Sequence, residues 1–493
     1  MRFRGCTNKV KGICSVISAV LMRLLIGNLL TFPNIISYYQ VFSDFKFTKN
    51  QLYFVAPAGL FTFFAFVFPL GFLDEKVGTR VSTIIGSVCI LAYQLLMYFV
   101  KVFAVLIISY ILLGLGGALT YVQTLINCWK YFPERRGLIS GFLFSSSGLG
   151  AFIFTSIADG VVKSDEKDEK KKNEQIVKGF KLYLLISLFF IIVFGISASI
   201  LCFPYVKMDE YIAGLSLIPD EDSEESEDQI PKDENSDESK EKDKNKEKKE
   251  GKTLKELILT IDFLMCLIIS ICTLIFGFLL TNTYRVFGEL SFIKNTPESY
   301  SNDEKMKKYL KALSKVFTLA NAVGRLIWGF ISDKVGFKIL YSIVCIIQII
   351  CGATIYFAAN NIAAYFIVTN VGILGYAGHV TLFPGLINTM FGIEKSLYLI
   401  GICGFFNGIA ALIGPILTIF VLKEKKDYLV VYLVCAAPSI VSLIVTILLK
   451  IDKKPKEEPK EKIIDDHYYD EVEEIEKEEL DKTGVELSLN KSK

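Results

Sequence analysis

Twelve long apolar segments dominate this sequence, and they constrain its fold more than any other feature. A helix needs about 20 predominantly apolar residues to cross the hydrocarbon core of a bilayer. In lipid every backbone polar group must be paired within the chain, and an α-helix does this by itself. The sequence therefore predicts an all-α membrane protein whose twelve transmembrane helices lie in a lipid bilayer. The segments lie near 14–41, 51–72, 81–100, 103–127, 137–161, 180–204, 257–283, 312–332, 338–358, 362–389, 396–421 and 427–449.

Two highly charged stretches interrupt and follow these segments. Between Asp220 and Glu250 stand fifteen acidic residues and seven lysines, with no aromatic residue. Such a composition cannot bury enough apolar surface to offset the entropy of ordering, so disorder is expected. The predicted organisation is a six-helix bundle over 1–204, a disordered charged loop over 205–256, a second six-helix bundle over 257–450 and a disordered charged tail over 451–493.

Composition excludes several functional classes. The chain has 54 Lys+Arg and 52 Asp+Glu, a net charge of +2, which offers no basic footprint for nucleic acid. It has two histidines and no C-x-x-C motif, and most of its eleven cysteines lie in apolar segments, where they behave as small hydrophobes. No nucleotide loop or catalytic constellation is found. We therefore expect a protein that is not an enzyme and that uses no cofactor and no metal.

A short repeat links the two halves of the chain. Gly71–Arg80 reads G-F-L-D-E-K-V-G-T-R and Gly329–Lys338 reads G-F-I-S-D-K-V-G-F-K, identical at five of ten positions. Each copy follows the second apolar segment of its half. A motif that recurs at the equivalent place indicates duplication. The repeat predicts two pseudo-symmetric six-helix bundles.

With this repeat, the sequence resembles the major facilitator superfamily, whose signature G-x-L-x-D-[RK]-x-G-[RK]-[RK] joins helices 2 and 3 on the cytoplasmic side. The resemblance implies the major facilitator fold, with both termini and the 205–256 loop in the cytoplasm. In that family the acid of the signature, here Glu75, lies near a helix N-terminus and latches one access state; a helix dipole stabilises a carboxylate there. The implied gating residues are Gly71, Glu75, Gly78, Arg80, Gly329, Asp333, Gly336 and Lys338.

Three further stretches are similar to the oxalate/formate antiporter and monocarboxylate porter branch. Asn127–Gly141 reads N-C-W-K-Y-F-P-E-R-R-G-L-I-S-G, Asn321–Asp333 reads N-A-V-G-R-L-I-W-G-F-I-S-D, and Thr31–Tyr39 reads T-F-P-N-I-I-S-Y-Y. The resemblance implies a secondary active transporter that moves a small organic monocarboxylate by alternating access. Lactate-like, pyruvate-like and pantothenate-like acids are the expected substrates, and proton symport is the default coupling.

Arg325 is the main candidate for binding a substrate. It lies midway along the eighth apolar segment, where a charge is costly unless it faces a cavity or a partner. Its planar guanidinium matches a carboxylate with two hydrogen bonds. In the resembling branch this arginine binds the substrate carboxylate. The alternative is a structural arginine that pairs with a buried acid or with backbone carbonyls.

The sequence also departs from that branch at three positions. Asn407 stands where oxalate exchangers carry a second cation, which favours a monoanion. Asn34 stands where monocarboxylate porters carry a lysine, and Asn321 where they carry an acid four residues before the arginine. Both members of their proton-linked pair are thus neutral here, which puts the same coupling mechanism in doubt.

Other polar residues of the apolar segments are weaker candidates. His379 suits proton coupling or substrate hydrogen bonding, although a histidine packed between helices is the simpler interpretation. Arg23 is expected near the inner end of helix 1, where its side chain can extend to the membrane surface. Further candidates for substrate contacts, each equally explained as a bond between helices, are Tyr38, Tyr121, Gln123 and Asn282.

Several alternatives remain open at this stage. The chain could transport a neutral solute or an amino acid, or conduct as a channel. It could also be a carrier-like sensor or scaffold that acts through its loop and tail, whose protein partners the sequence does not identify. A multi-pass protein of the plasma membrane is the default expectation, and an organelle membrane is the alternative.

Overall fold

The computed structural model describes residues 8–43, 54–99, 102–162, 168–205, 253–294, 304–420 and 427–451. All regular elements in these ranges are helices, as the apolar segments predict. We number the membrane helices 1 to 12 and divide the first into two parts. They are α1a (Asn8–Ile26), α1b (Phe32–Ser43), α2 (Val55–Val77), α3 (Thr79–Phe99), α4 (Phe103–Tyr131), α5 (Arg136–Val161), α6 (Glu169–Leu201), α7 (Ile261–Lys294), α8 (Glu304–Ser332), α9 (Phe337–Ala358), α10 (Ile362–Phe391), α11 (Ile393–Phe420) and α12 (Asp427–Leu448).

Eleven helices in the described ranges are long and apolar enough to cross a membrane. The twelfth, α8, falls short of that measure because lysines crowd its first three turns and Arg325 lies in its apolar part. Together they make the six-plus-six arrangement that the duplicated motif predicts. The predicted fold of twelve transmembrane helices is confirmed.

Three helices extend far beyond their apolar segments. The predicted segments were 180–204, 257–283 and 312–332, whereas α6 begins at Glu169, α7 continues to Lys294 and α8 begins at Glu304. The added turns are charged or amphipathic, so hydropathy alone did not mark them as helical. A short helix, Leu254–Ile258, capped by Thr253 and Glu256, also occupies the end of the predicted 205–256 loop. The rest of that loop, from residue 206 to 252, and the tail after residue 451 lie outside the described residues.

The first membrane helix is broken near its middle. A 3-10 turn at Gly27–Leu30 separates α1a from α1b. Asn28 donates to the carbonyl of Leu25 at 3.1 Å, and Thr31 to the carbonyl of Gly27 at 3.2 Å, so side chains satisfy carbonyls that the break frees. Half-helices of this kind are typical of binding sites in secondary transporters.

The two signature copies occupy equivalent places in the two halves. Arg80 donates to the carbonyl of Ser199, near the end of α6, at 3.1 Å. Lys338 donates to the carbonyl of Ile447, near the end of α12, at 3.0 Å. A cation at a helix C-terminus is favourable because of the helix dipole. The two copies of the motif therefore make equivalent contacts in the two halves. We call the membrane side at which both copies lie the motif side.

Glycines of the signature meet local backbone and packing demands. Gly78 has φ +82° between α2 and α3, a conformation that glycine adopts without strain. Gly336 is the N-cap residue of α9, and Gly71 faces Leu397 of α11. The backbone of Glu75 belongs to α2, but its side chain lies outside what the structure describes, so its predicted latch contact stays a prediction.

The two halves are in close contact along two helix pairs, α5 with α8 and α2 with α11. At the first pair, a Cβ built on Gly141 would lie 2.9 Å from the Cα of Gly329 and from the carbonyl oxygen of Arg325. Only glycine fits at such a backbone-to-backbone approach. The halves are therefore closed against each other at the motif side.

Candidate functional site

A central cavity of about 80 Å³ lies between the two halves. Its wall is mostly apolar, with a few polar groups that converge on it, which is the usual character of a small-molecule site. Four of the predicted substrate-binding residues line it, and each comes from a different helix. They are Tyr121 of α4, Arg325 of α8, His379 of α10 and Asn407 of α11.

Arg325 is held in place by groups of both halves. Its Nε donates to Oδ1 of Asn321 at 3.0 Å, one turn earlier in α8. Its Nη1 donates to the carbonyl of Phe144 at 2.9 Å and to Oγ of Ser147 at 2.6 Å, both in α5. Its Nη2 has no hydrogen-bond acceptor among the described residues. The site thus offers an oriented guanidinium with a donor left for a ligand.

No carboxylate neutralises Arg325 within the described part of the chain. An ion pair in this part of the chain joins Arg285 to Glu289 on α7, at 3.4 Å, and does not involve Arg325. Arg325 is 3% exposed, and its Cζ lies 5.8 Å from the centre of the Tyr376 ring. A buried cation without a counter-ion favours an anionic ligand electrostatically.

Arg23 differs from its sequence expectation. It does not extend to the membrane surface: it is 0% exposed and donates through Nη2 to the backbone carbonyl of Tyr121. Its Cζ lies 4.5 Å from the centre of the Tyr121 ring and 4.7 Å from that of Phe144. The expectation was wrong because α1a begins at Asn8, six residues before the apolar segment.

His379 ends a chain of hydrogen bonds that leads away from the cavity. Its Nδ1 pairs with the hydroxyl of Tyr341, which donates to Oγ1 of Thr273 at 3.0 Å. Thr273 and Ser442 pair at 2.7 Å. The His379 ring also stacks on Phe383, with 5.4 Å between centres. One ring nitrogen is therefore fixed by the protein, while the ring itself lines the cavity.

Asn407 and Tyr121 are oriented by their own contacts. Oδ1 of Asn407 accepts from Ser270 of α7 at 2.8 Å. The Tyr121 ring meets Phe63 edge-on, with 4.8 Å between centres, in addition to its contact with Arg23. These side chains give the cavity neutral polar groups beside one charged group.

Two further predicted residues line a smaller cavity of about 20 Å³, next to the first. Asn321, which also orients Arg325, belongs to its wall. Asn34 of α1b accepts from the hydroxyl of Tyr284 at 3.4 Å and donates to Thr155 at 3.4 Å. The contact with Tyr284 joins the two halves on the far side of Arg325 from the motif side.

Three predicted residues line neither of these cavities. The Tyr38 hydroxyl donates to Asp159 at 3.2 Å, and Nδ2 of Asn282 donates to the carbonyl of Phe278 in its own helix at 2.9 Å. The side chain of Gln123 is buried, and its amide atoms have no hydrogen-bond partner in the described ranges. The structure does not bring these three to the central cavity.

The acid of the second signature copy joins the two halves. Asp333, just after α8, accepts from the backbone N–H groups of Gly137 and Leu138, both at 2.8 Å. These residues belong to the first turn of α5, whose N–H groups have no partner within the helix. The contact holds α5 against α8 at the motif side, the position expected of a gate.

Comparisons with known proteins agree with this architecture. The family model described as Major Facilitator Superfamily matches residues 16–295 and 310–477. An "Uncharacterized MFS-type transporter YhjX" of Escherichia coli (strain K12) is 23% identical over 326 residues, 66% of this chain and 67% of that protein.

Two other matches are more limited in what they cover or show. The oxalate:formate antiporter of Oxalobacter formigenes is 31% identical over 93 residues, 19% of this chain and 22% of that protein, so this likeness is local. The solved structure of the proton:xylose symporter XylE, bound to 6-bromo-6-deoxy-D-glucose, superposes with a TM-score of 0.58. It covers 90% of this chain and 97% of its own at 13% identity, which shows a shared fold alone.

Twelve helices in two related halves, a motif-side contact between the halves and a central polar cavity fit the family model that matches most of the chain. Members of this family are multi-pass membrane transporters. The chain belongs to the Major Facilitator Superfamily.

Proposed function

We propose that this protein is a secondary active transporter of a small organic monocarboxylate, lactate-like, pyruvate-like or pantothenate-like, that works by alternating access. The observation that carries the proposal is Arg325. Its buried guanidinium lines the central cavity, and no carboxylate pairs with it in the described ranges. A planar guanidinium binds a carboxylate with more geometric specificity than a lysine would.

The rest of the cavity supports a singly charged substrate. Among the described residues that line it, Arg325 is the one charged residue, and Asn407, Tyr121 and His379 are polar neighbours. In the state that the structure describes, one cation lines the cavity and can balance one carboxylate. The apolar remainder of the wall suits the short carbon chain of such an acid, and the small volume limits its size.

One of the relatives supports an organic anion. The local match to a protein named oxalate:formate antiporter points to small carboxylates, whereas the likeness to the xylose symporter concerns the fold. Coupling to protons and a location in the plasma membrane belong to the proposal as defaults. An organelle membrane is the alternative location.

Uptake into proteoliposomes tests the proposal. The purified full-length protein is reconstituted, and uptake of radiolabelled lactate and pyruvate is compared for the natural protein, Arg325→Gln and the matched control Arg285→Gln. Losing a buried charged pair typically costs about 2–5 kcal/mol of binding. We expect Arg325→Gln to reduce uptake at least tenfold and Arg285→Gln, whose arginine pairs with Glu289 on α7, to keep it.

The alternatives give different results in the same assay. Uptake of a sugar or an amino acid that lactate and pyruvate do not inhibit would replace the proposal with a neutral or zwitterionic substrate. A channel would show neither saturation nor counterflow. If the protein takes up none of these solutes, and deletion of 206–250 abolishes its cellular function, a sensor or scaffold is the better assignment.

A further inference from the structure

Arg23 is a second buried cation whose hydrogen-bonding capacity is largely unused. Its Nη2 donates to the carbonyl of Tyr121, but Nε and Nη1 are buried with no acceptor in the described part of the chain. No carboxylate lies within ion-pair distance of it there. Leaving two charged donors unpaired is costly. A purely structural arginine would be expected to have these donors satisfied.

The position of Arg23 connects it to the central cavity. Tyr121 lines that cavity, and the guanidinium of Arg23 stacks on the Tyr121 ring at 4.5 Å from its centre. Both arginines also meet at Phe144: Arg325 donates to its carbonyl at 2.9 Å, and Arg23 lies 4.7 Å from its ring centre. One aromatic ring therefore separates Arg23 from the space that Arg325 lines.

The two rings account for part of the stability of this arrangement. A guanidinium over an aromatic face gains roughly 0.5–2 kcal/mol, depending on desolvation. This attraction can hold Arg23 in place while the cavity is empty, but it leaves Nε and Nη1 unsatisfied. An anionic oxygen is the acceptor that satisfies an unpaired guanidinium donor best.

We propose that Arg23 is a second anion-binding residue of the central site. When the Tyr121 ring turns away, an unpaired guanidinium donor of Arg23 binds the carboxylate that Arg325 holds, so that one carboxylate is shared between the two guanidinium groups. Tyr121 is then the side chain that controls whether one or two cations reach the ligand. This inference rests on the proposed function and adds a residue that the sequence placed outside the site.

Equilibrium binding tests this role separately from transport. The full-length protein in detergent is titrated with sodium pyruvate against sodium chloride at equal ionic strength, and the ligand-dependent rise of the melting temperature gives the affinity. The variants are Arg23→Gln, Arg23→Lys, Arg325→Gln and the control Arg285→Gln. We expect Arg23→Gln to weaken pyruvate binding at least tenfold and Arg23→Lys to weaken it less, since it keeps the charge.

The melting temperature without ligand separates binding from structure. If Arg23 serves the ligand, removing its unpaired charge leaves the empty protein as stable as before or more stable, and anion affinity falls. A structural Arg23 gives the opposite pair of results: Arg23→Gln lowers the melting temperature without ligand, and the protein that remains folded binds pyruvate with unchanged affinity. That outcome would overturn the inference.

The same titration keeps the two proposals apart. If Arg325→Gln loses pyruvate binding and Arg23→Gln keeps it, Arg23 is not an anion-binding residue, and the proposed function is unaffected. Unchanged pyruvate binding in both variants, or no pyruvate binding by the natural protein, would contradict the proposed function as an organic-acid transporter. If Arg23→Gln does not fold, Arg23→Lys decides, since a binding role predicts reduced affinity in a folded protein.

Discussion

The carboxylate of Asp333 accepts a 2.8 Å hydrogen bond from the backbone N–H of Gly137, and this bond joins the two halves of the protein. Its second oxygen accepts from Leu138 at 2.8 Å. The acid of one half therefore caps the first turn of α5 in the other half, where the helix dipole favours a negative charge. The family resemblance implies a latch made by the acid of the first signature copy. In this structure it is the acid of the second copy, Asp333, whose contact between the halves is described.

Replacing Asp333 by asparagine should favour opening at the motif side. The amide keeps one acceptor but loses the charge, which costs roughly 0.5–2 kcal/mol at a helix N-terminus. A loss of 1.4 kcal/mol would change the ratio of closed to open molecules about tenfold. Spin labels on the motif-side ends of α5 and α8 would report the change as a growing population with longer distances.

Asp168→Asn is the matched control for this prediction. Asp168 also caps a helix with its carboxylate, accepting from Lys170 at 3.0 Å, but the bond lies within one half. We expect its distance distribution to match that of the natural protein. Equal distributions in all three proteins would show that the Asp333 contact does not hold the motif side closed.

A methyl group at Gly141 should also disturb the closed contact. The added Cβ would lie 2.9 Å from two backbone atoms of α8, so the helices must move apart by several tenths of an ångström. Overpacking of this kind typically costs about 1–3 kcal/mol. We expect Gly141→Ala to reduce the maximal rate of uptake. Gly160→Ala, on the same helix with no atom within 4 Å of its added Cβ, should transport normally; equal rates in both would contradict the role of this packing.

Much of the architecture could be predicted from the sequence because lipid imposes a simple rule. Each spanning helix must carry a long apolar run, so twelve runs gave twelve helices, and the repeated motif gave the division into halves. Arg325 stood out for the same reason, as a charge within such a run. The extra turns of α6, α7 and α8 were missed because they lie beyond the apolar runs that the rule detects.

Arg23 could not be placed because its depth depends on where α1a begins. The apolar run begins near residue 14, which puts Arg23 close to the end of a helix. In the structure the helix begins at Asn8, and at about 1.5 Å per residue Arg23 lies roughly 22 Å along it. The break at Gly27–Leu30 and the packing of Tyr121 and Phe144 on the guanidinium are tertiary features, without a signature in the sequence.

A carboxylate at position 321 should compete with the substrate for Arg325. In Asn321→Asp the new acid would stand where an amide oxygen now accepts from Nε of Arg325 at 3.0 Å. The resulting ion pair neutralises the guanidinium, so pyruvate affinity should fall at least tenfold. Because the ion pair with Arg325 keeps the new acid charged, binding should stay weak from pH 8 down to about pH 5.

Titration with pyruvate between pH 5 and pH 8 checks this prediction. Asn360→Asp is the control, because Asn360 is exposed in the turn before α10 and the same substitution there leaves Arg325 unpaired. Its affinity should equal that of the natural protein. Unchanged affinity in Asn321→Asp would mean that Arg325 does not hold the carboxylate of the substrate.

His379 should discriminate hydroxy acids from oxo acids. Thr273 donates to the carbonyl of Ile269 at 2.7 Å, so it accepts from the Tyr341 hydroxyl, and that hydroxyl in turn accepts from Nδ1–H of His379. Nε2 of the neutral ring is then an acceptor, and the ring lines the central cavity. It can accept a hydrogen bond from the hydroxyl of lactate, but pyruvate has no hydrogen to donate. The arrangement predicts a preference for lactate that depends on His379.

The variant His379→Phe should therefore lose affinity for lactate about fivefold more than for pyruvate, the effect of one neutral hydrogen bond of about 1 kcal/mol. Tyr341→Phe should reduce the preference for lactate less than His379→Phe does. It keeps the imidazole but removes the hydroxyl that fixes which ring nitrogen of His379 carries the proton. Inhibition of radiolabelled pyruvate uptake by unlabelled lactate, measured for the natural protein and both variants, gives the ratio of affinities directly. An equal loss for both acids in His379→Phe would indicate that His379 shapes the cavity through packing against Phe383 and makes no bond to the substrate hydroxyl.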